Sequence, residues 1–206
     1  MPKYLNEEEI KEAPQHLEAR KIEGYWCKAL KGSGLISENL GKDDDALLNC
    51  IENIHVVDEE GSDNFTIIFN LRENEIIKNK ELTKKFYLQN SAPVKSESSI
   101  IEWVGKNLTL KEIKKKQKNK KTGQQRIVTK QVKAKSFFNF FSNIDLSNIN
   151  PNPLEASEEE MKLREELEQD FEIGGVLVDE ILPYSLEYYL GIEHEGDDAY
   201  GEDGEE

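Results

Sequence analysis

The sequence is short of the residue types that most enzymatic and metal sites require. Only 3 histidines and 2 cysteines occur in 206 residues, and no histidine stands at a metal-ligand spacing from a cysteine or carboxylate. The patterns G-x-S-x-G, G-x-G-x-x-G and G-x-x-x-x-G-K-[ST] are all missing. Carboxylates are plentiful, but on charged faces they are far more often solvated surface than catalytic pairs. We therefore predict a protein that is not an enzyme and that uses no cofactor or metal.

Long apolar runs are missing too. Hydrophobic residues make up 36% of the chain, and no stretch approaches the roughly 18 apolar residues of a membrane-spanning helix. The N-terminal residues MPKYLNEEEIKEA lack the apolar core of a secretory signal. Cys27 and Cys50 form neither a disulfide framework nor a zinc pattern, and each is predicted to be a small buried hydrophobe. We expect an intracellular protein.

Charge is abundant and unevenly distributed. The net charge is −15, which favours basic protein over nucleic acid as a partner of most of the surface. Residues 155–206 contain 20 acidic residues and only 2 basic ones. Residues 111–135 contain 11 basic residues and 1 acidic one. A basic segment of this size must project into solvent or meet acidic surface, because packed like charges repel.

The first third of the chain changes from a helical to a strand period. Helical spacing predicts a helix within 22–36 that ends at Gly32 and Gly34, and a second helix over 46–54 capped by Asp43 to Asp45. Strands are then predicted at 54–58, 64–71, 81–89, 98–104, 107–116 and 126–133. Their short connections suggest an antiparallel sheet, with the basic segment at the tip of a long hairpin.

The remaining chain is predicted to return to helix. The phenylalanines of SFFNFF are too apolar to stay exposed and should join the core. After a polar linker, Ser157 and Glu160 form a capping-box pattern that begins a helix over 157–182. The predicted organisation is a charged leader at 1–20, an α+β domain at 21–192 and a disordered acidic tail at 193–206.

The basic block has three interpretations: a solvated hairpin tip, a direct contact to nucleic acid, or a nuclear-import signal. Nucleic-acid binding is disfavoured because the block lacks interleaved aromatics and the rest of the chain repels phosphates. A short, exposed, lysine-rich segment suits the acidic groove of an import receptor. The residues of this predicted signal are Lys114, Lys115, Lys116, Lys118, Lys120 and Lys121.

The acidic C-terminal quarter could merely confer solubility, but its size favours binding of a highly basic partner. Histones are the commonest partners of this kind in a nucleus. A large acidic field gives fast and strongly salt-dependent association. The predicted histone-binding residues are Glu158, Glu159, Glu160, Glu165, Glu166, Glu168, Glu193, Glu195, Asp197, Asp198, Glu202, Asp203, Glu205 and Glu206.

Several collinear segments resemble the nucleosome assembly protein (NAP/SET) family of histone chaperones, from about residue 22 to 206. IEGYWCKALK is similar to the family's IP-x-FW segment, with Glu23 in place of the proline. NEIIKNKEL is similar to N-x-x-F-x-N-x-x-L, with Ile77 in place of the phenylalanine. The hairpin followed by SFFNFF is the most specific match. DFEIGGVLVDEILPYSLEYYLG with its acidic tail looks like the family's C-terminal end, and PYSLEYYL is closer to the SET branch.

The resemblance implies an α+β fold with a four-stranded antiparallel sheet and a protruding hairpin over a layer of helices. It also implies ATP-independent nucleosome assembly, core histones as partners, and shuttling between nucleus and cytoplasm. Family members dimerise through a long helix before the IP-x-FW segment. Only about 20 residues precede that segment here, so we expect the long dimerisation helix to be absent from this chain.

Two other functions remain as alternatives. The basic hairpin could make the protein a nucleic-acid-binding adaptor, and the SET-like ending could make it a phosphatase-inhibiting scaffold. Free DNA at physiological salt and a phosphatase pull-down would discriminate these two from histone binding.

Overall fold

The structure is a computed structural model that describes residues 20–118, 125–147, 149 and 156–192. Side chains are described for all of these except 115–118 and 125–126. The predicted leader, apart from Arg20, and the predicted tail at 193–206 lie outside the described residues.

The described chain contains short helices, a run of strands and a longer C-terminal helix. The helices are α1 (Tyr25–Gly32), α2 (Gly34–Asn39), α3 (Asp45–Leu48), α4 (Glu158–Gly175) and α5 (Ser185–Leu190). The strands are β1 (Ile51–Asp58), β2 (Phe65–Leu71), β3 (Glu81–Gln89), β4 (Ala92–Ser98), β5 (Leu110–Lys118), β6 (Gln125–Lys133) and β7 (Ile144–Asp145). A 3-10 turn spans Phe137–Phe141, and a π-helical turn spans Val176–Ile181.

The strands form one antiparallel sheet and one separate hairpin. The sheet has five strands in the order β1-β2-β3-β4-β7, with every neighbouring pair antiparallel. β5 and β6 pair with each other in a two-stranded sheet. The predicted α+β class and the protruding hairpin are confirmed. The expected four-stranded sheet gains a fifth strand, because the two residues of β7 pair with Lys95 and Ser96 of β4.

One face of the sheet is buried, and the alternation of buried residues is strictest in β2. In β2, Phe65, Ile67, Phe69 and Leu71 are buried, and the residues between them are half-buried. The phenylalanines of the 3-10 turn pack onto this face, and Phe69 contacts the rings of Phe137, Phe140 and Phe141. The prediction that SFFNFF belongs to the core is confirmed, since all four phenylalanines are at most 9% exposed.

A buried carboxylate anchors this aromatic turn to the helical layer. Asp44 is 1% exposed, and its oxygens accept hydrogen bonds from Ser136 Oγ (2.7 Å), the Phe137 amide (2.7 Å) and the Gly41 amide (2.8 Å). These bonds bring residue 41 so close to Lys135 that a Cβ there would lie 2.2 Å from the Lys135 carbonyl oxygen. Only glycine fits this approach. The connection before α3 thereby holds the base of the hairpin.

The predicted helix over 46–54 is wrong in its second half. α3 ends at Leu48, and β1 begins at Ile51. Leu47, Leu48, Ile51 and Ile54 are all buried, as the apolar stripe predicted. Ile51 and Ile54 instead pair with Leu71 and Phe69 of β2. Pairing with a distant strand overrides local helical spacing, and β-branched isoleucine fits the sheet well.

The predicted strand over 98–104 is also wrong. β4 ends at Ser98, and the segment after it joins β-structure only through one isolated bridge, between Ile77 and Trp103. The side chain of Asn79 takes the place of a neighbouring strand. Its Oδ1 accepts from the Glu102 amide at 2.8 Å, and its Nδ2 donates to the Ile100 carbonyl at 3.0 Å. Such local side-chain bonds compete with strand pairing.

The other predicted elements are confirmed, with shifted boundaries. α1 ends at Gly32 as predicted, but Gly34 begins α2 rather than ending a helix. The predicted helix over 157–182 is divided into α4 and the π-helical turn. The predicted strands at 107–116 and 126–133 correspond to β5 and β6. Cys27 is buried as predicted, while Cys50 is partly exposed, and both thiols are free.

Candidate functional site

The candidate site is built on α4, whose N-terminus is held by the predicted capping box. Ser157 Oγ accepts from the Glu160 amide at 3.2 Å, and the Glu160 carboxylate accepts from the Ser157 amide at 2.7 Å. Glu158, Glu159 and Glu160 occupy the first turn. Negative side chains there are stabilised by the positive end of the helix dipole. The concentration of acid at this end therefore also supports the helix.

The two faces of α4 differ sharply. Leu167, Ile173 and Gly174 are buried, and a Cβ on Gly174 would lie 2.8 Å from Phe86 Cε2. The helix therefore lies directly on the aromatic core at that point. The exposed surface of the helix is mainly acidic, although Met161, Lys162 and Leu163 are exposed as well. Its exposed acids are Glu158, Glu159, Glu165, Glu168 and Glu172.

Four of the six predicted histone-binding residues on α4 point into solvent, and two have partners within the chain. Glu160 belongs to the capping box. Glu166 accepts from Lys133 Nζ at 3.1 Å and is 30% exposed. Glu158, Glu159, Glu165 and Glu168 are exposed. The eight other predicted residues, from Glu193 to Glu206, lie outside the described residues.

Asp170 is the acid on α4 that turns inward. Its Oδ2 lies 2.6 Å from Lys84 Nζ, in an ion pair whose side chains are 0% (Lys84) and 13% (Asp170) exposed. Lys84 Nζ also donates to the Ser142 carbonyl at 2.8 Å and lies over the rings of Phe86 and Phe140. This pair ties α4, β3 and the end of the 3-10 turn together. The pair thereby fixes the orientation of α4, but Asp170 is not itself one of the exposed acids of that helix.

The basic hairpin projects from the sheet beside α4. Its register runs from Leu110 opposite Lys133 to Lys118 opposite Gln125. Of the predicted import residues, Lys114 is exposed on β5, while Lys115, Lys116 and Lys118 lie on the same strand. Lys120 and Lys121 lie outside the described residues. The contact between Lys133 and Glu166 joins the base of this basic arm to the middle of the acidic helix.

A second acidic surface was not predicted. The turn between β1 and β2 carries Asp58, Glu59, Glu60 and Asp63, all exposed. The Asn64 side-chain hydrogen bond, reinforced by Lys85 at 3.0 Å, lowers the pKa of Glu59. The letters DEEGSD, four of which are acidic, contain the sequence signal for this surface.

Among the described residues, no group of three or more histidine, cysteine or acidic residues is arranged to hold a metal ion. A cleft of about 810 Å³ lies at the base of the hairpin. Two of its carboxylates are already engaged, because Asp43 pairs with Lys106 and Asp44 holds the aromatic turn. No helix in the described part of the chain is both long and apolar enough to cross a membrane.

A family model described as "Nucleosome assembly protein (NAP)" matches residues 2–192. The chain belongs to the nucleosome assembly protein family. The resemblance inferred from the hairpin, the SFFNFF segment and the C-terminal segment is thereby confirmed.

Individual members of the nucleosome assembly protein family agree with this assignment. Nucleosome assembly protein 1-like 1 of Xenopus tropicalis is 36% identical over 201 residues, which are 89% of this chain and 49% of that protein. The chain thus spans about half the length of the curated relatives it matches. Nucleosome Assembly Protein 1 from Plasmodium knowlesi has the same fold, with a TM-score of 0.66 at 22% identity, covering 89% of this chain and 81% of that one. The Vps75 histone chaperone superposes with a TM-score of 0.53 at 19% identity, covering 90% and 84%.

Proposed function

We propose that this chain is a histone chaperone that binds basic core histones through the acidic face of α4 and the acidic C-terminal segment. The observation that carries the proposal is the exposed row of glutamates on α4, in a chain of the nucleosome assembly protein family. The proposal includes ATP-independent nucleosome assembly and histone transport between cytoplasm and nucleus.

The mechanism we propose is electrostatic and needs no fuel. Many carboxylates attract a highly basic partner, speed its association and shield it from non-specific contact with DNA. The histones leave when correctly wrapped DNA offers them more favourable contacts. The acidic residues act collectively, since an exposed ion pair contributes under about 1 kcal/mol. Single substitutions on this face should therefore change affinity little.

Neutralising the exposed face should weaken histone binding in a salt-dependent manner. We expect the fourfold variant Glu158→Gln, Glu159→Gln, Glu165→Gln and Glu168→Gln to bind histones about tenfold more weakly at low salt. The difference should shrink as salt rises, because ions screen exposed charges. Titration of labelled histones at several salt concentrations, followed by mass measurement, gives both affinity and stoichiometry.

The matched control removes the same number of charges from other exposed surface. Glu38, Glu73, Glu75 and Glu102 are exposed, and their joint replacement by glutamine should leave histone affinity close to the wild type. If both variants weakened binding equally, net charge alone would govern the affinity and α4 would not be the binding face.

We also propose that the basic hairpin serves nuclear import. Its support is the position of the lysines on a projecting arm whose strands pair only with each other among the described strands. Neutralising Lys114, Lys115, Lys116, Lys118, Lys120 and Lys121 should keep the protein cytoplasmic while histone binding persists. Fluorescence imaging of the variant tests its location, and histone titration of the same variant tests its histone binding. Normal nuclear entry of the variant would show that import uses another signal.

The exposed hairpin is also the feature on which a nucleic-acid-binding adaptor would rely. Mixing the protein with free DNA at physiological salt separates the two functions, because the acidic surface of a chaperone should oppose phosphate binding. Tight binding to DNA would make the adaptor the main function.

Two further measurements address the remaining expectations. Mass measurement of the free protein would give its oligomeric state. A phosphatase pull-down would test the alternative of a phosphatase-inhibiting scaffold.

A further inference from the structure

The outer edge of the sheet, along β1, has backbone groups that point away from the other strands. At the two ends of the β1–β2 pair, the Glu59 amide donates to the Asn64 carbonyl at 3.0 Å and the Arg72 amide donates to the Cys50 carbonyl at 2.9 Å. With the observed register, Asn53, His55 and Val57 direct their backbone groups at β2. The alternate residues Ile54, Val56 and Asp58 therefore direct theirs outward.

The first half of this edge is covered, since Ile51 and Ile54 are 3% and 1% exposed. Trp26 Nε1, on α1, donates to the Glu52 carbonyl at 3.1 Å. Beyond Ile54, among residues 20–118, 125–147, 149 and 156–192, no group forms a hydrogen bond with the outward amides and carbonyls of Val56 and Asp58. Open backbone groups of this kind are a template for an added strand.

The usual protection of an edge strand is missing along this segment. β1 contains neither lysine nor proline, and its irregularity lies between Ile51 and Asn53, before the open part. Val57 is 50% exposed. Natural edge strands are commonly blocked by lysine, proline or a bulge. The open part of β1 therefore remains able to accept another strand.

The charge around the edge determines what kind of strand fits. Glu52 and Asp58 lie on β1, and the adjoining turn adds Glu59, Glu60 and Asp63, with Lys85 as the cation paired to Glu59. A second copy of β1 would bring acids against acids, which destabilises strand pairing. A strand rich in lysine or arginine would instead meet opposite charge at the turn end.

We propose that the outer edge of β1 binds an extended lysine- or arginine-rich peptide segment as a sixth strand of the sheet. Main-chain hydrogen bonds to Val56 and Asp58 hold its backbone, and the acids of the β1–β2 turn hold its basic side chains. This surface lies on a different element from α4. The proposal does not require that the partner be a histone, so it can fail while the proposed function stands.

The first test uses the wild-type protein and a probe peptide of eight residues that alternates lysine and valine, acetylated and amidated at its ends. Without the peptide, the amides of Val56 and Asp58 should exchange with solvent faster than those of His55 and Val57, which bond to β2. Saturating peptide should slow exchange at Val56 and Asp58. Unchanged exchange at both amides under saturation would overturn the proposal.

An N-methylated form of the same peptide separates strand addition from simple charge attraction. It keeps every lysine but cannot donate backbone hydrogen bonds, so its affinity should fall about tenfold or more. Equal affinity of the two peptides would show that only charge attracts them and would overturn the proposal. The comparison uses wild-type protein throughout, so it does not depend on the folding of any variant.

A protein variant gives a third readout. Val56→Pro removes an outward N–H at a position where an edge strand tolerates proline, and it should reduce affinity for the unmethylated peptide by about tenfold. Val57→Thr, whose backbone bonds to β2, is the control and should bind like the wild type. Circular dichroism confirms the fold of both variants. Wild-type affinity in a folded Val56→Pro variant would overturn the proposal.

Discussion

Replacing Phe137 with alanine is expected to lower the free energy of unfolding by about 3–5 kcal/mol. Phe137 is 1% exposed, and its ring contacts Phe69, Phe138 and Phe140 at centroid distances of 6.2, 5.7 and 5.7 Å. The truncation leaves a cavity between the sheet and the 3-10 turn that rigid neighbours fill only in part. Domains of this size have about 5–15 kcal/mol of stability in total. Urea unfolding followed by circular dichroism measures the loss.

The control for this prediction lies on the neighbouring hairpin. Ile127 is 66% exposed on β6, so Ile127→Ala should change the free energy of unfolding by no more than about 0.5 kcal/mol. Equal losses for the two variants would contradict the assignment of the aromatic turn to the core. If Phe137→Ala lowered the free energy of unfolding only slightly, the residues around position 137 would have moved inward to fill the cavity.

The second large effect is expected at the buried ion pair. Lys84→Ala should lower the free energy of unfolding by about 3–5 kcal/mol, because it leaves Asp170 without its counter-charge among aromatic rings. Lys84 Nζ lies 2.6 Å from Asp170 Oδ2 and 2.8 Å from the Ser142 carbonyl oxygen. The variant should also weaken the packing of α4 on the sheet. The helical circular-dichroism signal should then be lost at a lower temperature than in the wild type.

An exposed ion pair of the same length is the matched control. Lys31 Nζ lies 2.6 Å from Asp45 Oδ2, but the two side chains are 42% and 53% exposed. Lys31→Ala should therefore lower the free energy of unfolding by less than about 1 kcal/mol. A loss for Lys84→Ala no larger than this would contradict the claim that burial makes the inner pair important.

The pKa directions at the inner pair show what burial does to both charges. Desolvation lowers the pKa of Lys84, and desolvation also raises the pKa of Asp170, although Lys84 opposes the second shift. Each group is thus pushed towards its neutral form. Replacing both partners with apolar residues, as in Lys84→Met with Asp170→Leu, should accordingly restore most of the stability lost in Lys84→Ala.

The candidate site was only partly predictable from the sequence. Counting charges located the acidic helix and the basic hairpin, because each is a continuous segment. It could not show that Asp170 turns inward to Lys84 or that Glu166 meets Lys133, since these contacts join residues far apart in the chain. The sequence did not predict a role for the acidic turn after β1, because that role depends on the sheet edge beside it. That edge exists only once the strand order is known.

By itself, the sequence determined the properties that local pattern controls. Alternation in β2 and β3, the capping box at Ser157 and the charge of each segment all follow from neighbouring residues, and so does the family resemblance. Tertiary structure decided where local preference and distant pairing disagree. Ile51 and Ile54 follow a helical spacing, yet they lie in β1 because β2 supplies hydrogen bonds and a buried face. Residues 99–104 are apolar and β-branched in part, yet Asn79 holds them outside the sheet. Every buried backbone group needs a partner, and in these two segments the partner comes from a part of the chain that local spacing does not specify.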